Sequence, residues 1–268
     1  DEGTYRASVT NTNVLGLTLE TREITVRVSS FERDSLALRQ LYVEMNGSSW
    51  SGINDWTNLP IDQWIGIGIS DNRVDSLNLS GQGLVGTFSS QVLDVLNLRY
   101  VNISGNDVEN IPDMTTLVNL TTLDLTDNRL HFDDLIPNAG ITGVDFSNQK
   151  PVGEPLPDIY LPSGSDFELS VEVGGEGNVY EWTLGSDVVQ SGSNAAYQIT
   201  GIQRADMGLY QCLITNSAIP GFSLSSNVRG VFAKAMLSGT TRISESELLT
   251  DGRVFLFQVN DGAYDTID

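Results

Sequence analysis

The sequence predicts a multidomain, mainly β chain in which a short solenoid of parallel strands, capped by a helix at its N-terminal end, is flanked by β-sandwiches. Three observations carry that expectation. Apolar residues at Leu77, Val101, Leu123 and Val144 recur 24, 22 and 21 residues apart, the period of a chain that coils once per repeat and lays down one strand each time. Residues from Asp1 align without a gap on residues from Asp206, at a constant offset of 205, so one kind of segment occurs twice. A length of 268 residues exceeds one typical domain and can bury several cores.

Each element follows in chain order. In DEGTYRASVTNTNVLGLTLE over DMGLYQCLITNSAIPGFSLS, Asp1, Gly3, Tyr5, Thr10, Asn11, Gly16 and Leu19 fall on Asp206, Gly208, Tyr210, Thr215, Asn216, Gly221 and Leu224. Both segments alternate apolar and polar residues around a glycine loop, the pattern of a β-hairpin. A hairpin alone is marginal in water. Residues 1–30 are therefore expected to be the C-terminal hairpin of a truncated sandwich, with its front half outside this chain. Over residues 31–46, Leu38, Leu41, Tyr42 and Met45 sit at helical spacing and Asn46-Gly47 stops the run, which predicts an amphipathic helix. Trp50, Trp56 and Trp64 follow, then the alternating WIGIGIS and a turn at Asp71-Asn72.

The repeats are VDSLNLSGQGLVG, LRYVNISGNDV, LTTLDLTDNRL and ITGVDFSNQ. Asn106 and Asn128 stand where an inward amide satisfies the backbone of neighbouring turns, while Gln82 and Gln149 depart from that pattern. This solenoid with its cap is expected over 31–150, a sandwich over 151–233, and a further truncated β domain over 234–268. In that last stretch Asp251-Gly252 and Asp261-Gly262 bracket the strand VFLFQV. With both ends falling inside domains, the chain is expected to be a piece of a much longer protein.

The motif Asp206-x-Gly208-x-Tyr210-x-Cys212 resembles the tyrosine corner and second cysteine of an immunoglobulin strand F, and Trp182 stands where the strand C tryptophan would be. The first cysteine of that pattern is Val171 here, and Ala7 replaces the second in the first copy. Cys212 is therefore expected to be reduced and buried as a small hydrophobe against Val171 and Trp182. The block DSLALRQLYVEMNGSSW, QWIGI and LNLSGQGLVGTF resembles the short leucine-rich-repeat modules of large secreted surface proteins of gliding bacteria. In those a last repeat of the VDFSNQ type runs into an immunoglobulin-like domain, as here at Lys150 and Pro151. The resemblance covers 31–233. It implies a leucine-rich-repeat solenoid with a helical N-terminal cap, flanked by immunoglobulin-like β-sandwiches. It further implies an extracellular, cell-surface role in adhesion or appendage assembly, with no catalytic residue.

Composition narrows the function independently. The 35 acidic residues against 14 basic ones give a net charge of −21, and Lys150 and Lys234 are the only lysines. Such a surface lacks the cations that nucleic acid or an anionic bilayer requires. No apolar run is long enough to span a membrane. One histidine, His131, and one cysteine, Cys212, exclude most nucleophile and metal constellations, so no metal or cofactor is expected. A carboxylate-dependent glycosidase remains as the enzymatic alternative and needs two carboxyls about 5 to 10 Å apart. The expectation is a protein that is not an enzyme.

On the solenoid face, outward residues form columns about 4.8 Å apart, an arrangement ordinary for such repeats and read first as a solvated surface, with binding as the alternative reading. One column reads Ser76, Tyr100, Thr122, Gly143; the next Asn78, Asn102, Asp124, Asp145; the third Ser80, Ser104, Thr126, Ser147. Asn78, Arg99, Tyr100, Asn102, Thr122, Asp124 and Asp145 are the candidates to hydrogen-bond a glycan or cell-surface protein. Asp124 and Asp145 lack the oxygen-rich loop that would make a calcium site. Glycosylation acceptors are read at Asn46, Asn78, Asn102 and Asn119 for N-linkage, and at the triplets beginning at Asp34, Asp75 and Asp265 for O-linkage. The other partners expected are copies of the chain, or other domains of it, meeting through strand edges near 222–232 and 254–259.

Overall fold

A computed structural model describes residues 3–10, 13, 14, 16–26, 30–234, 256–260 and 263–267. Its contacts define two units, 1–234 and 235–268. The described residues are mainly β, with two α-helices.

The first segment holds β1 (Gly3–Tyr5), β2 (Ser8–Thr10), β3 (Thr18–Glu20) and β4 (Ile24–Val26). β1 pairs antiparallel with β4, and β2 with β3. Helix α1 (Ser30–Glu44) buries Leu38, Leu41 and Tyr42 and ends where Asn46 enters the left-handed region at φ 51°. Gly47 is required next, because a Cβ there would lie 2.2 Å from the Tyr42 ring. In the cap Trp56 stacks on Trp64, parallel at 5.0 Å, and on Tyr42, while Trp50 meets Tyr42 and Trp56 edge-on. Their indole N–H groups donate to the carbonyls of Met45, Ile65 and Leu59, so a wholly aromatic cluster leaves no indole donor unpaired.

The helix is tied to the repeats by a charge pair that the sequence did not reveal. Asp34 is fully buried; it accepts from Arg73 Nε at 2.8 Å and Nη2 at 2.9 Å, and from the Val74 amide at 3.0 Å. The triplet beginning at Asp34 thus has its acidic residue inside the fold, with Ser35 half-buried beside it.

β5 (Ile67–Ser70) and β6 (Arg73–Asn78) form a hairpin. Its turn residues Asp71 and Asn72 both have positive φ, 48° and 59°, the twist-matched geometry that short polar side chains tolerate best. β7 (Val85–Thr87), β8 (Tyr100–Asn102), β9 (Asp107–Asn110), β10 (Thr122–Asp124), α2 (Phe132–Asn138) and β11 (Val144–Asp145) follow. One sheet runs β11-β10-β8-β6-β5, parallel except for its last pair, and β7 pairs β9 in a second. Leu77, Val101 and Leu123 are in register and fully buried.

Inward amides hold the turns together. Asn106 accepts from the amides of Gly83 and Leu84 and donates to the carbonyls of Leu79, Ile103 and Ser104. Asn128 accepts from Val108 and donates to Ile103, Leu125 and Thr126. Gln149 takes the same place one turn on, accepting from Leu130 and donating to Leu125 and Phe146. Gln82 bonds Gly52 of the cap and Ser80. Of the two glutamines that depart from the asparagine pattern, Gln149 reaches the equivalent repeat backbone, while Gln82 ties the first repeat to the cap.

The remaining strands of the first unit are β12 (Ile159–Pro162), β13 (Phe167–Ser170), β14 (Asn178–Leu184), β15 (Asp187–Gly192), β16 (Ala196–Ile199), β17 (Gly208–Asn216), β18 (Ser223–Ser225) and β19 (Arg229–Lys234). One sheet is ordered β12-β19-β17-β14-β15, with β18 beside β17, and β13 pairs β16 in the other. Residues 222–232 are not the single exposed edge strand the sequence predicts. They split into β18 and β19, and β12 pairs β19 in parallel register, covering Val231 and Phe232 of that stretch. In the second unit, β20 (Leu256–Asn260) and β21 (Ala263–Ile267) form an antiparallel hairpin. The turn residues Asp251, Gly252, Asp261 and Gly262 lie outside the described residues.

Candidate functional site

The parallel register sets Asn78 beside Asn102, Asn102 beside Asp124 and Asp124 beside Asp145. Tyr100 and Thr122 are neighbours in the adjoining column. Each polar side chain of the Asn/Asp column is already occupied on one side. Asn102 Oδ1 accepts from the amide and hydroxyl of Ser104, Asp124 Oδ1 from those of Thr126, and Asp145 Oδ1 from the Ser147 amide at 2.9 Å. Asn78 Oδ1 accepts from the Ser80 amide, and Ser80 and Ser104 share a hydroxyl bond of 2.9 Å. These side chains end their own strands in local turns. Asn102 Nδ2 also donates to the Tyr100 hydroxyl at 3.0 Å, while the Arg99 side chain is exposed. Of the N-linkage acceptors, Asn46 lies in the helix-ending turn and Asn119 donates to the Leu96 carbonyl. Among the described residues no cluster of three potential metal ligands occurs.

A second site was not legible beforehand: the junction between the last repeat and the sandwich. Phe222, in the loop between β17 and β18, packs edge-on against Phe132 at 5.8 Å and Phe146 at 5.0 Å. The loop before β14 meets the start of α2: the Gly174 amide donates to His131 Nδ1, and a Cβ at Gly174 would lie 2.2 Å from the Asp133 carboxylate. Asp107 joins Arg129 at 2.8 Å and Lys150 at 3.0 Å, and Lys150 Nζ also donates to the Asn106 carbonyl. The bonds from Arg129 and then Lys150 hold the Asp107 carboxyl below its ordinary range. One of the two lysines is thus spent within the last repeats, and Arg129 Nη1 reaches Glu154 across the boundary at 3.8 Å.

Inside the sandwich, Tyr210 donates its hydroxyl to the Asp206 carbonyl at 2.7 Å, the tyrosine corner. Trp182 and Cys212 are cross-strand neighbours, and Val171 is buried in the same core. Cys212 is a free thiol, pushed up to about 12 by burial. A thiol so desolvated is poor as a nucleophile. Trp182 Nε1 is buried with no hydrogen-bond partner among the described residues. It borders a cleft of about 250 Å³ lined by Val152, Leu156, Leu169, Val171 and Arg229.

Residues 119–140 match the Leucine Rich Repeat family model. That stretch contains β10, Asn128 and the whole of α2. No curated protein matches the chain. Among solved structures, the chain is similar to Sidekick-1 immunoglobulin domains 1-5 at 20% identity and a TM-score of 0.26, over 30% of this chain and 16% of that one. It is likewise similar to the second Ig-C2 domain of human Fc-receptor like A, at 17% identity and a TM-score of 0.25, over 28% of this chain and 86% of that one. Drosophila OTK extracellular domains 3-5 match at 16% identity and a TM-score of 0.27, over 33% of this chain and 38% of that one. No helix among the described residues is long and apolar enough to cross a membrane.

Proposed function

We propose that the chain is a non-catalytic, structural and adhesive segment of a large modular extracellular protein, in which the leucine-rich-repeat solenoid and the immunoglobulin-like sandwich act as one stiff link. The observation that carries this reading is the junction, where Phe222 of the sandwich sits against Phe132 and Phe146 of the solenoid and Arg129 reaches Glu154 at 3.8 Å. Aromatic packing across the boundary restrains the angle between modules, which a stiff link needs and a swivelling receptor does not. The finer assignment, to a secreted bacterial surface protein that forms appendages with copies of itself, rests on the motif resemblance at 31–233.

Because the net charge is −21, copies repel at long range and salt should strengthen association by screening. Particle mass measured by light scattering against ionic strength tests this. Mass rising with salt supports the reading. A monomer at every salt concentration, with a glycan or peptide bound over Tyr100 and Asn102, would replace it with a recognition module. That second reading has one observation in its favour, the exposed Arg99 beside the Tyr100–Asn102 pair.

A further inference from the structure

The hairpin at 3–26 repeats the hairpin at 208–231 bond for bond. Gly3 faces Val26 as Gly208 faces Val231, Tyr5 faces Ile24 as Tyr210 faces Arg229, and Val9 faces Leu19 as Ile214 faces Leu224. The Ala7 amide donates to Thr21 Oγ1 at 2.9 Å, as the Cys212 amide donates to Ser226 Oγ at 2.9 Å. Gly16 and Gly221 have φ 83° and 82°. The surroundings differ. Ile214 and Leu224 are 0% and 2% exposed, whereas Val9 and Leu19 are 58% and 62% exposed. In the second copy β14 extends this inner face beside β17 with the buried Trp182, and the other sheet, β13 and β16, brings the buried Leu169 and Ile199.

We propose that the inner face of the 3–26 hairpin is a docking surface for the missing half of an immunoglobulin-type sandwich, a strand set with the pattern of residues 151–205. A hairpin that keeps the register, the amide-to-hydroxyl bond and the inward apolar positions of a sandwich interior is complementary to one kind of cover, and the chain itself displays that cover. The 151–205 half of a second copy is already closed by its own 208–231. The occupant is therefore a separate half of the same type, supplied by a neighbouring sequence. The inference stands independently of what the segment adheres to.

The test places a copy of residues 151–205 directly before residue 1 of the full chain, so that Ala205 is followed by Asp1 as it natively is by Asp206. Amide exchange at 7–10 and 18–21 is expected to slow by about 100-fold, because opening would then require unfolding a core rather than fraying a ladder. Val9→Asp in the fusion should restore fast exchange. A second readout carries Val171→Cys in the added half together with Ala7→Cys, and mild oxidation is expected to link the two where the sandwich disulfide would lie. Protection or the cross-link supports the proposal. Absence of both overturns it, as does protection that arises in the unfused chain only with rising concentration and a doubled mass, which would make a second copy the cover.

Discussion

Two hairpins 205 residues apart share register, turn glycine and a side-chain bond, yet one lies in a core and the other is exposed along both strands. The difference separates two things that a sequence motif usually delivers together. Pairing is set locally, by alternation and by a turn that needs positive φ. Burial is set by what arrives from elsewhere in the chain. About 1.5 to 3 kcal/mol accompanies full burial of each large apolar side chain, so the two ladders should differ widely in stability although their strands pair alike.

The largest expected effect comes from charge. Ile214→Asp would place an unpaired carboxylate in the sandwich interior and should prevent that module from folding, while Val9→Asp in the unmodified chain should leave the melting temperature within about a degree, consistent with a surface change of under ~0.5 kcal/mol. Circular dichroism melts of the two variants decide it; equal losses would break the comparison. Truncation is the next step down. Leu224→Ala should cost about 2 to 5 kcal/mol and Leu19→Ala under about 0.5 kcal/mol in denaturant titration.

Sulfur offers a third contrast. Cys212, held up to about 12 by burial, should react with a thiol reagent at pH 8 at least ~100-fold more slowly than a cysteine introduced as Ala7→Cys. Its rate should climb as pH rises toward 12, because the thiolate forms only there; fast labelling of Cys212 in the native chain would contradict the assigned burial. The smallest effect is expected at Arg6, which pairs with Glu20 at 2.9 Å and Glu23 at 2.8 Å on half-exposed side chains. Arg6→Ala should change stability by no more than ~1 kcal/mol and by nothing measurable in high salt.

How much of this was readable beforehand follows from what kind of signal each feature leaves. The columns running from Asn78 to Asp145 were legible, because a period near 22 residues and a side-chain period of two fix them together. So were the roles of Asn106, Asn128 and Tyr210, since each residue type suits one backbone task. The Asp34–Arg73 pair was not, because 39 residues separate two charges in a chain with 35 acidic residues, and only the packing of α1 on β6 selects them. Removing Arg73 would strand the fully buried Asp34 carboxylate, which costs up to about 3 to 5 kcal/mol, so a sizeable energetic term left no pattern. The role of Gln149 left no signal in the pattern, because one extra methylene changes the residue name without changing what its amide reaches. The repeat face was legible as a set of residues, whereas its engagement in local turns through Ser104 and Thr126 depended on side-chain rotamers.

Native-state hydrogen exchange on the unmodified chain, read in one sample at both hairpins, tests the comparison most directly. The expected result is that amides of Cys212, Ile214 and Ser226 exchange with the opening of the whole sandwich, orders of magnitude more slowly than those of Ala7, Val9 and Thr21, although the paired positions and bond lengths correspond. Equal protection at the two hairpins would mean that pairing alone supplies the stability, and would contradict the claim that the cover does.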